Sequence, residues 1–239
     1  MIDAILYKDI VESVNRQFSE QPRRLMTLDG INLESSQKMS DINSKIKKHC
    51  LVAVLFCNPN TIFCKNEILD SLSYFHHRSK QYIDIFCCGY GAYWPNKKYP
   101  DLKVVTQIDG ANWSYSDNSF VTAVEEFEEK TKWRYSGENE LLLLDVGPSD
   151  DVDELNISSA IVCNLEQMKK DNAFSSVRSL FEDLIRFAAS NDAADAWGFS
   201  DAKGADVAIS FLKDGVLGLL PKPLQSSYRQ AESFAVRQI

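Results

Sequence analysis

Cysteine is the residue type in this sequence with the widest chemical repertoire. Cys57 and Cys64 follow an apolar stretch, near the expected start of a helix, where the positive end of a helix lowers the pKa of a thiol. The adjacent Cys87 and Cys88 cannot easily pair with each other, because neighbouring residues of a strand point to opposite faces. Most of the cysteines lie in apolar runs, where a thiol behaves as a small hydrophobic side chain. We therefore predict reduced, structural thiols for Cys50, Cys57, Cys64, Cys87, Cys88 and Cys163.

The stretch YIDIFCCGYGAYW, from Tyr82 to Trp94, is an apolar strand that opens into glycines and aromatic residues. The asparagines of the turn NPN follow an earlier apolar strand. Ligands of open α/β sheets collect beyond the carboxyl ends of the strands, so the two turns predict a ligand crevice. The competing interpretation is a tight turn whose aromatic side chains cover the core. The candidate ligand-binding residues are Asn58, Asn60, Gly89, Tyr90, Gly91, Tyr93 and Trp94.

Other residue combinations point away from a metal or a cofactor. His76 and His77 carry suitable ligand atoms, but the sequence has neither Cys-x-x-Cys nor His-Glu-x-x-His. Neither the phosphate-binding pattern Gly-x-Gly-x-x-Gly nor the nucleophile pattern Gly-x-Ser-x-Gly occurs. Glu138 and Glu140, in a turn before an apolar strand, are candidate acids or bases. We predict no metal site and no cofactor, and we assign no catalytic residue.

Apolar runs that alternate with amphipathic segments predict an α/β fold. The runs Cys50–Cys57 and Tyr82–Cys88 flank a segment with helical spacing, which implies a parallel strand–helix–strand unit. Asp117 is the predicted N-cap of a later helix that directs Val121 toward the core. Residues 19–39 and 89–102 are predicted to be connections. Further strands are predicted over Lys103–Ile108, Glu140–Val146 and Ser159–Leu165, and helices over residues 2–18, 64–79, 117–132 and 177–188.

These elements predict three parts: an N-terminal helical segment (1–48), an α/β core domain (49–190) and a C-terminal helical extension (191–239). We expect the core to be a mixed, mostly parallel sheet with helices on both faces. Its element order resembles the thioredoxin-like fold, and a flavodoxin-like, doubly wound sheet explains it nearly as well. The first resemblance implies a thiol oxidoreductase. However, Cys57 and Cys64 lack the Cys-x-x-Cys spacing, and no proline precedes Glu140–Val146, where that family has a cis-proline.

The charge of the chain disfavours some partners. The 239 residues carry a net charge of −8, and an acidic protein repels phosphate backbones. No apolar run approaches the ~20 residues that a membrane-spanning helix needs. The first residues also lack the pattern of a secretory signal. We expect a cytoplasmic protein that contacts neither nucleic acid nor membrane.

The C-terminal extension motivates the leading functional hypothesis. Its two predicted helices carry more apolar residues than one sheet needs, and contiguous exposed apolar surface usually marks an interface. We predict a non-catalytic binding or adaptor component of an intracellular assembly, which contacts a protein partner or a second copy of itself through these helices. The first alternative is an enzyme or sensor that binds a small, nucleotide-like ligand at the strand ends. The second is a thiol oxidoreductase.

Overall fold

The part of the chain that the structure describes folds as a mixed α/β protein with two sheets. A computed structural model describes residues 4–28, 47–79, 82–92, 99–190, 194–196, 198–203 and 234–239. The strands are β1 (Cys50–Phe56), β2 (Asp84–Cys87), β3 (Tyr90–Ala92), β4 (Lys103–Ile108), β5 (Ala111–Tyr115), β6 (Glu140–Gly147), β7 (Asn156–Asn164) and β8 (Val236–Arg237). The helices are α1 (Tyr7–Leu28), α2 (Leu72–Ser79), α3 (Asp117–Lys130), α4 (Leu165–Lys170) and α5 (Val177–Ser190).

The larger sheet has five strands in the order β2-β1-β6-β7-β8. Its two most apolar strands, β1 and β6, lie side by side, with Cys50 opposite Val146 and Phe56 opposite Glu140. All but one of their residues are buried, as expected for strands that are covered on both faces. Strand β2 runs parallel to β1, whereas β6, β7 and β8 each run antiparallel to the strand before them in the sheet.

The smaller sheet has three antiparallel strands in the order β3-β5-β4. A two-residue turn of Asp109 and Gly110 joins β4 to β5, and both residues have positive φ angles (52° and 77°). This is the geometry that a tight hairpin requires. The other edge of β3 contacts the N-terminal segment, since the Ile5 amide donates to the Tyr90 carbonyl and the Gly89 amide donates to the Ile5 carbonyl, both at 3.0 Å.

Aromatic side chains connect the helices to the core. Tyr7 of α1 meets Phe127 of α3 edge to face at 4.8 Å, and Phe127 meets Phe56 of β1 at 5.2 Å. Elsewhere in the core, Phe75 of α2 stacks on Phe181 of α5 at 4.3 Å. Aromatic pairs of this kind add to the free energy of burial. They fix α1 to α3 and α2 to α5.

The predicted α/β class is confirmed, but the expectation of a mostly parallel sheet was wrong. Of the strand pairings described in the larger sheet, β1 with β2 alone is parallel. After β2 the chain builds the smaller sheet and then α3, and it re-enters the larger sheet at the end where β1 finishes. Strand β6 must therefore run back along β1, and the short connection to β7 makes another antiparallel pair.

The segment after β2 contains more structure than predicted. Residues 89–102 include β3, and β5 was not predicted at all. The N-cap of α3 is Ser116, whose hydroxyl accepts from the Ser119 amide, rather than Asp117. Val121 was expected in the core and is 51% exposed, because Phe120 and Phe127 already occupy the buried side of the helix.

The two ends of the chain also differ from expectation. Helix α1 continues through Pro22 to Leu28, where a connection was predicted. Near the C-terminus, β8 is a strand in a segment predicted to be helical. The apolar residues that motivated the C-terminal interface (Val207, Ile209, Phe211, Leu212, Val216, Leu219 and Leu220) lie outside the described residues. Among the helices that the structure describes, none is both long enough and apolar enough to cross a bilayer.

Candidate functional site

The candidate site is the edge of the larger sheet at which β1 ends, called here the strand-end edge. Phe56, the last residue of β1, is opposite Glu140, the first residue of β6. Glu140 is in turn opposite Asn164, the last residue of β7. The residues that follow β1 therefore meet those that precede β6 and those that follow β7, and polar side chains of the three segments interact there.

A hydrogen-bonded turn connects β1 to the next helix. The Asn58 side-chain oxygen accepts from the Asn60 amide at 2.9 Å, an arrangement that asparagine favours in turns. The Asn58 carbonyl accepts from both the amide (3.1 Å) and the hydroxyl (3.0 Å) of Thr61. The Thr61 hydroxyl oxygen then accepts from the Cys64 amide at 3.1 Å, which begins the helix. The chain thus turns back directly after β1.

Asn139 holds the three segments of the strand-end edge together. Its side-chain oxygen accepts from the Asn58 amide at 3.2 Å. Its side-chain nitrogen donates to the Thr61 hydroxyl at 3.2 Å and to Glu166 Oε1 at 2.7 Å. Its carbonyl accepts from the Leu165 amide at 2.9 Å. Asn139 is 1% exposed, and this network satisfies a polar side chain that is costly to bury alone.

The two glutamates that were candidate acids or bases have structural partners. Glu138 accepts from the side chain of Asn164 at 2.7 Å. Glu140 is buried and accepts from the Trp133 ring nitrogen at 3.0 Å and from the Ser136 amide at 3.3 Å. Burial raises the pKa of the Glu140 carboxyl above its ordinary value.

The glycine-aromatic stretch forms a buried strand. Gly89 has a positive φ of 78°, and a Cβ atom at this position would lie 2.8 Å from the Cβ atom of Phe120, so glycine is needed for both backbone shape and space. Tyr90 is fully buried, and Gly91 is buried opposite Ser114 of β5. Gly89, Tyr90 and Gly91 therefore contribute backbone pairing and core packing at the strand-end edge.

The hydroxyl of Tyr90 lies between two thiols. It donates to the Cys57 carbonyl at 3.0 Å, and its oxygen is 3.5 Å from the sulfur of Cys57 and 3.7 Å from the sulfur of Cys64. All three side chains are fully buried. Cys57 directly follows β1, whereas Cys64 is the first residue of a π-helical turn, Cys64–Ile68, that precedes α2. Cys57 and Cys64 are called here the thiol pair.

The pKa values of the two thiols are shifted in opposite directions. Burial, followed by the interaction with Cys64, raises the pKa of the Cys57 thiol well above its ordinary value. The interaction with Cys57 lowers the pKa of the Cys64 thiol, and it outweighs the opposing effect of burial. A third thiol, Cys87 at the end of β2, is also buried, which raises its pKa to about 12. Cys64 is thus the more acidic member of the pair.

The predicted ligand-binding residues are only partly brought together. The Tyr90 hydroxyl bonds to Cys57, the residue directly before Asn58, whereas Asn60 is exposed at the turn. Gly91 lies in β3, and Gly89 directly precedes it. Tyr93 and Trp94 lie outside the described residues. Sequence reasoning missed Thr61, Asn139 and Glu166. The available signal was the position of Asn139, a polar residue directly before a strand with four consecutive leucines.

The histidines lie away from this edge. His76 and His77 are at the end of α2, and both contact Asp109 of the smaller sheet, at 3.8 Å and 2.8 Å. Within the described part of the chain, no group of three or more histidine, cysteine or acidic side chains has the geometry to hold a metal ion.

Taken together, the strand-end edge is a packed polar network above a buried thiol pair. Its carboxyl and amide groups bond to one another, and its thiols lie beneath them. Comparison with known proteins adds no assignment, since no family model, curated protein or solved structure matches the chain.

Proposed function

We propose that the protein is a non-catalytic binding component of a larger intracellular assembly. The thiols and Glu140 at the strand-end edge are enclosed, and the half-buried Glu138 and Glu166 bond to Asn164 and Asn139, which supports this proposal. Cys57, Cys64 and Tyr90 are fully buried, and Glu140 is 3% exposed. The amide of Asn139 is fully used by its neighbours. A catalytic group must reach the atom it acts on, and these groups do not face solvent.

The observation that carries the proposal is the open edge of the smaller sheet. Strand β4 is the last strand of this sheet, and no described strand pairs with its outer side. Lys103, Val104 and Gln107 are exposed along it, Val104 to 56%. An edge strand presents backbone amide and carbonyl groups that can pair with an extended segment of another protein. The proposed partner is therefore a protein that adds a strand to β4.

One irregularity limits where such a segment would bind. The register between β4 and β5 shifts between Val104 and Thr106, which marks a bulge. Bulges twist an edge and reduce its tendency to pair along its full length. A bound strand would therefore pair with a short stretch of β4, and the exposed Val104 would add apolar contact to the backbone pairing.

The proposal extends to the fold and to the C-terminal segment. We propose a thioredoxin-like core, because antiparallel β6 and β7 fit that resemblance better than a doubly wound sheet, which is mostly parallel. Partner contact or self-association through the helices predicted within residues 191–239 remains part of the proposal. The alternative of a nucleotide-like ligand gains no support from Gly89, Tyr90 and Gly91, which are buried.

Two exposed valines provide a matched test of the open edge. Val104 on β4 is 56% exposed and Val121 on α3 is 51% exposed, so glutamate at either position adds one charge to the surface. The tagged full chain is purified from its native host, together with V104E and V121E, and the proteins that accompany each are identified and quantified. A partner identified with the wild type is then purified, and its affinity for the three chains is measured by titration.

The proposal expects V104E to lose the partner in both measurements, with V121E equal to the wild type. Circular dichroism and thermal unfolding confirm that both variants are folded. Equal affinity of all three chains for the partner would show that the partner does not bind at β4. A wild-type chain that purifies alone, and that sediments as a monomer, would contradict the assembly itself.

A further inference from the structure

The arrangement of the thiol pair supports an inference that is independent of the proposed assembly. Two sulfur atoms from different elements contact one hydroxyl oxygen, at 3.5 Å for Cys57 and 3.7 Å for Cys64. The turn from Asn58 to Thr61 brings the start of the next helix back against the end of β1. We propose that Cys57 and Cys64 are a redox modification site, at which a hydroperoxide forms a reversible intramolecular disulfide.

The other cysteines of the chain are less suitable partners. Cys50 is at the opposite end of β1 from Cys57, about 23 Å away at roughly 3.3 Å per residue. Cys163 lies on β7, which β6 separates from β1. Of the adjacent Cys87 and Cys88, Cys87 interacts with Cys57, is opposite Leu55 of β1 and is the nearer competitor. A disulfide requires Cα atoms within about 7 Å, and the shared contacts on Tyr90 favour the thiol pair.

The backbone around Cys64 provides a route for a small oxidant. The residues Cys64–Ile68 form a π-helical turn, and Leu69–Ser71 form a 3-10 turn before regular α-helix begins at Leu72. A 3-10 turn has poorer hydrogen-bond geometry than an α-helix, and π-helical turns occur frequently at functional sites. Ile62, two residues before this turn, is 77% exposed. Local opening of the first turn would admit a molecule as small as a hydroperoxide without global unfolding.

The chemistry assigns a separate role to each thiol. The lowered pKa of Cys64 favours its thiolate, which attacks the terminal oxygen of the hydroperoxide, ROOH. The O–O bond breaks, Cys64 becomes a sulfenic acid, and the leaving alkoxide takes a proton to give ROH. The Cys57 sulfur then attacks the Cys64 sulfur and expels hydroxide, which leaves as water with the Cys57 proton. Overall, two thiols and ROOH give one disulfide, ROH and water.

Peptide mapping of the wild-type full chain tests this directly. Trypsin cleavage after Lys48 and Lys65 releases peptide 49–65, which contains Cys50, Cys57 and Cys64. The reduced protein is treated with hydrogen peroxide, denatured in the presence of N-ethylmaleimide, digested and examined by mass spectrometry. Before treatment the peptide carries three alkyl groups. After treatment it is expected to carry one, on Cys50, and dithiothreitol before alkylation is expected to restore all three.

A matched variant tests the assignment, and three other outcomes would contradict it. In C50S the same peptide is expected to carry two alkyl groups before treatment and none afterwards. The peroxide is first shown to oxidise free dithiothreitol. If the treated peptide then still carries all its alkyl groups, the proposal is overturned. A link from peptide 49–65 to peptide 81–97, which contains Cys87 and Cys88, would assign the disulfide to a different pair. Sulfinic or sulfonic acid at Cys64 without a disulfide would likewise contradict it.

Discussion

The hydroxyl of Tyr90 donates to the carbonyl oxygen of Cys57 at 3.0 Å, and both residues are fully buried. Cys57 is the first residue beyond β1, so its carbonyl lies outside the β1–β6 ladder, which ends at Phe56. The hydrogen bond therefore satisfies a buried acceptor at the point where the strand stops. It also joins the smaller sheet, which contains Tyr90, to the larger one.

Removal of this hydroxyl should destabilise the fold. Y90F leaves the Cys57 carbonyl without its donor, and an unsatisfied buried acceptor costs about 1–3 kcal/mol. Urea unfolding of the two chains measures the difference. Y115F is the matched control, because Tyr115 is equally buried and its ring is 4.9 Å from that of Tyr90. Its hydroxyl has no hydrogen-bond partner of good geometry among the described residues, so Y115F should be neutral or stabilising. Equal losses in the two variants would contradict the prediction.

The glycine before Tyr90 allows backbone strain to be separated from crowding. Gly89 and Gly110 have nearly the same φ, 78° and 77°, but a Cβ atom at Gly89 would lie 2.8 Å from Phe120, and one at Gly110 would meet nothing within 4 Å. G110A should cost about 1–2 kcal/mol, for the left-handed backbone alone. G89A should cost about 1–3 kcal/mol more, because Phe120 must move. Thermal and urea unfolding of both variants provide the comparison. Similar losses of stability would show that Phe120 moves at little energetic cost.

The sequence predicted the strands whose side chains are buried on both faces. Continuous apolar runs identified β1 and β6, and the helical spacing after Val177 identified α5. Strand β5 was missed because it is short, is not apolar throughout and includes the polar residues Asn112 and Ser114. The Asp109-Gly110 pair between β4 and β5 was a hairpin signal that would have located it.

The candidate site was predictable as a place but not as a set of residues. The carboxyl ends of β1 and β2 lie at the same edge, which directed attention to Asn58 and Tyr90. Asn139 and Glu166 reach the same edge only because β6 and β7 are antiparallel, a pairing that local sequence patterns do not encode. The contact of Cys57 and Cys64 with Tyr90 likewise depends on how the smaller sheet packs against the larger one.

Two arginines surround Glu182 at the contact of α2 and α5, and they make the stability of the fold depend on pH. Glu182 of α5 accepts from the Nη2 (3.0 Å) and Nε (3.2 Å) atoms of Arg78, from Arg186 Nε at 2.7 Å, and from the hydroxyl of Tyr74. The Arg78 hydrogen bonds are the largest cause that lowers the pKa of Glu182, from an ordinary value of 4.5 to about 2. Ionised Glu182 therefore stabilises the contact of the two helices.

Because the folded-state pKa is the lower one, this stabilisation is complete above pH 4.5 and is lost as the pH falls from 4.5 toward about 2. E182Q keeps an acceptor oxygen but cannot ionise, so it should be less stable than the wild type at pH 7. The difference in free energy of unfolding should shrink steadily below pH 4.5. Urea unfolding at pH 7, 5, 4 and 3 measures it, and E125Q, an exposed change on α3, controls for general loss of charge. A wild-type advantage over E182Q that stays constant from pH 7 to pH 3 would show that the ionisation of Glu182 does not stabilise the fold.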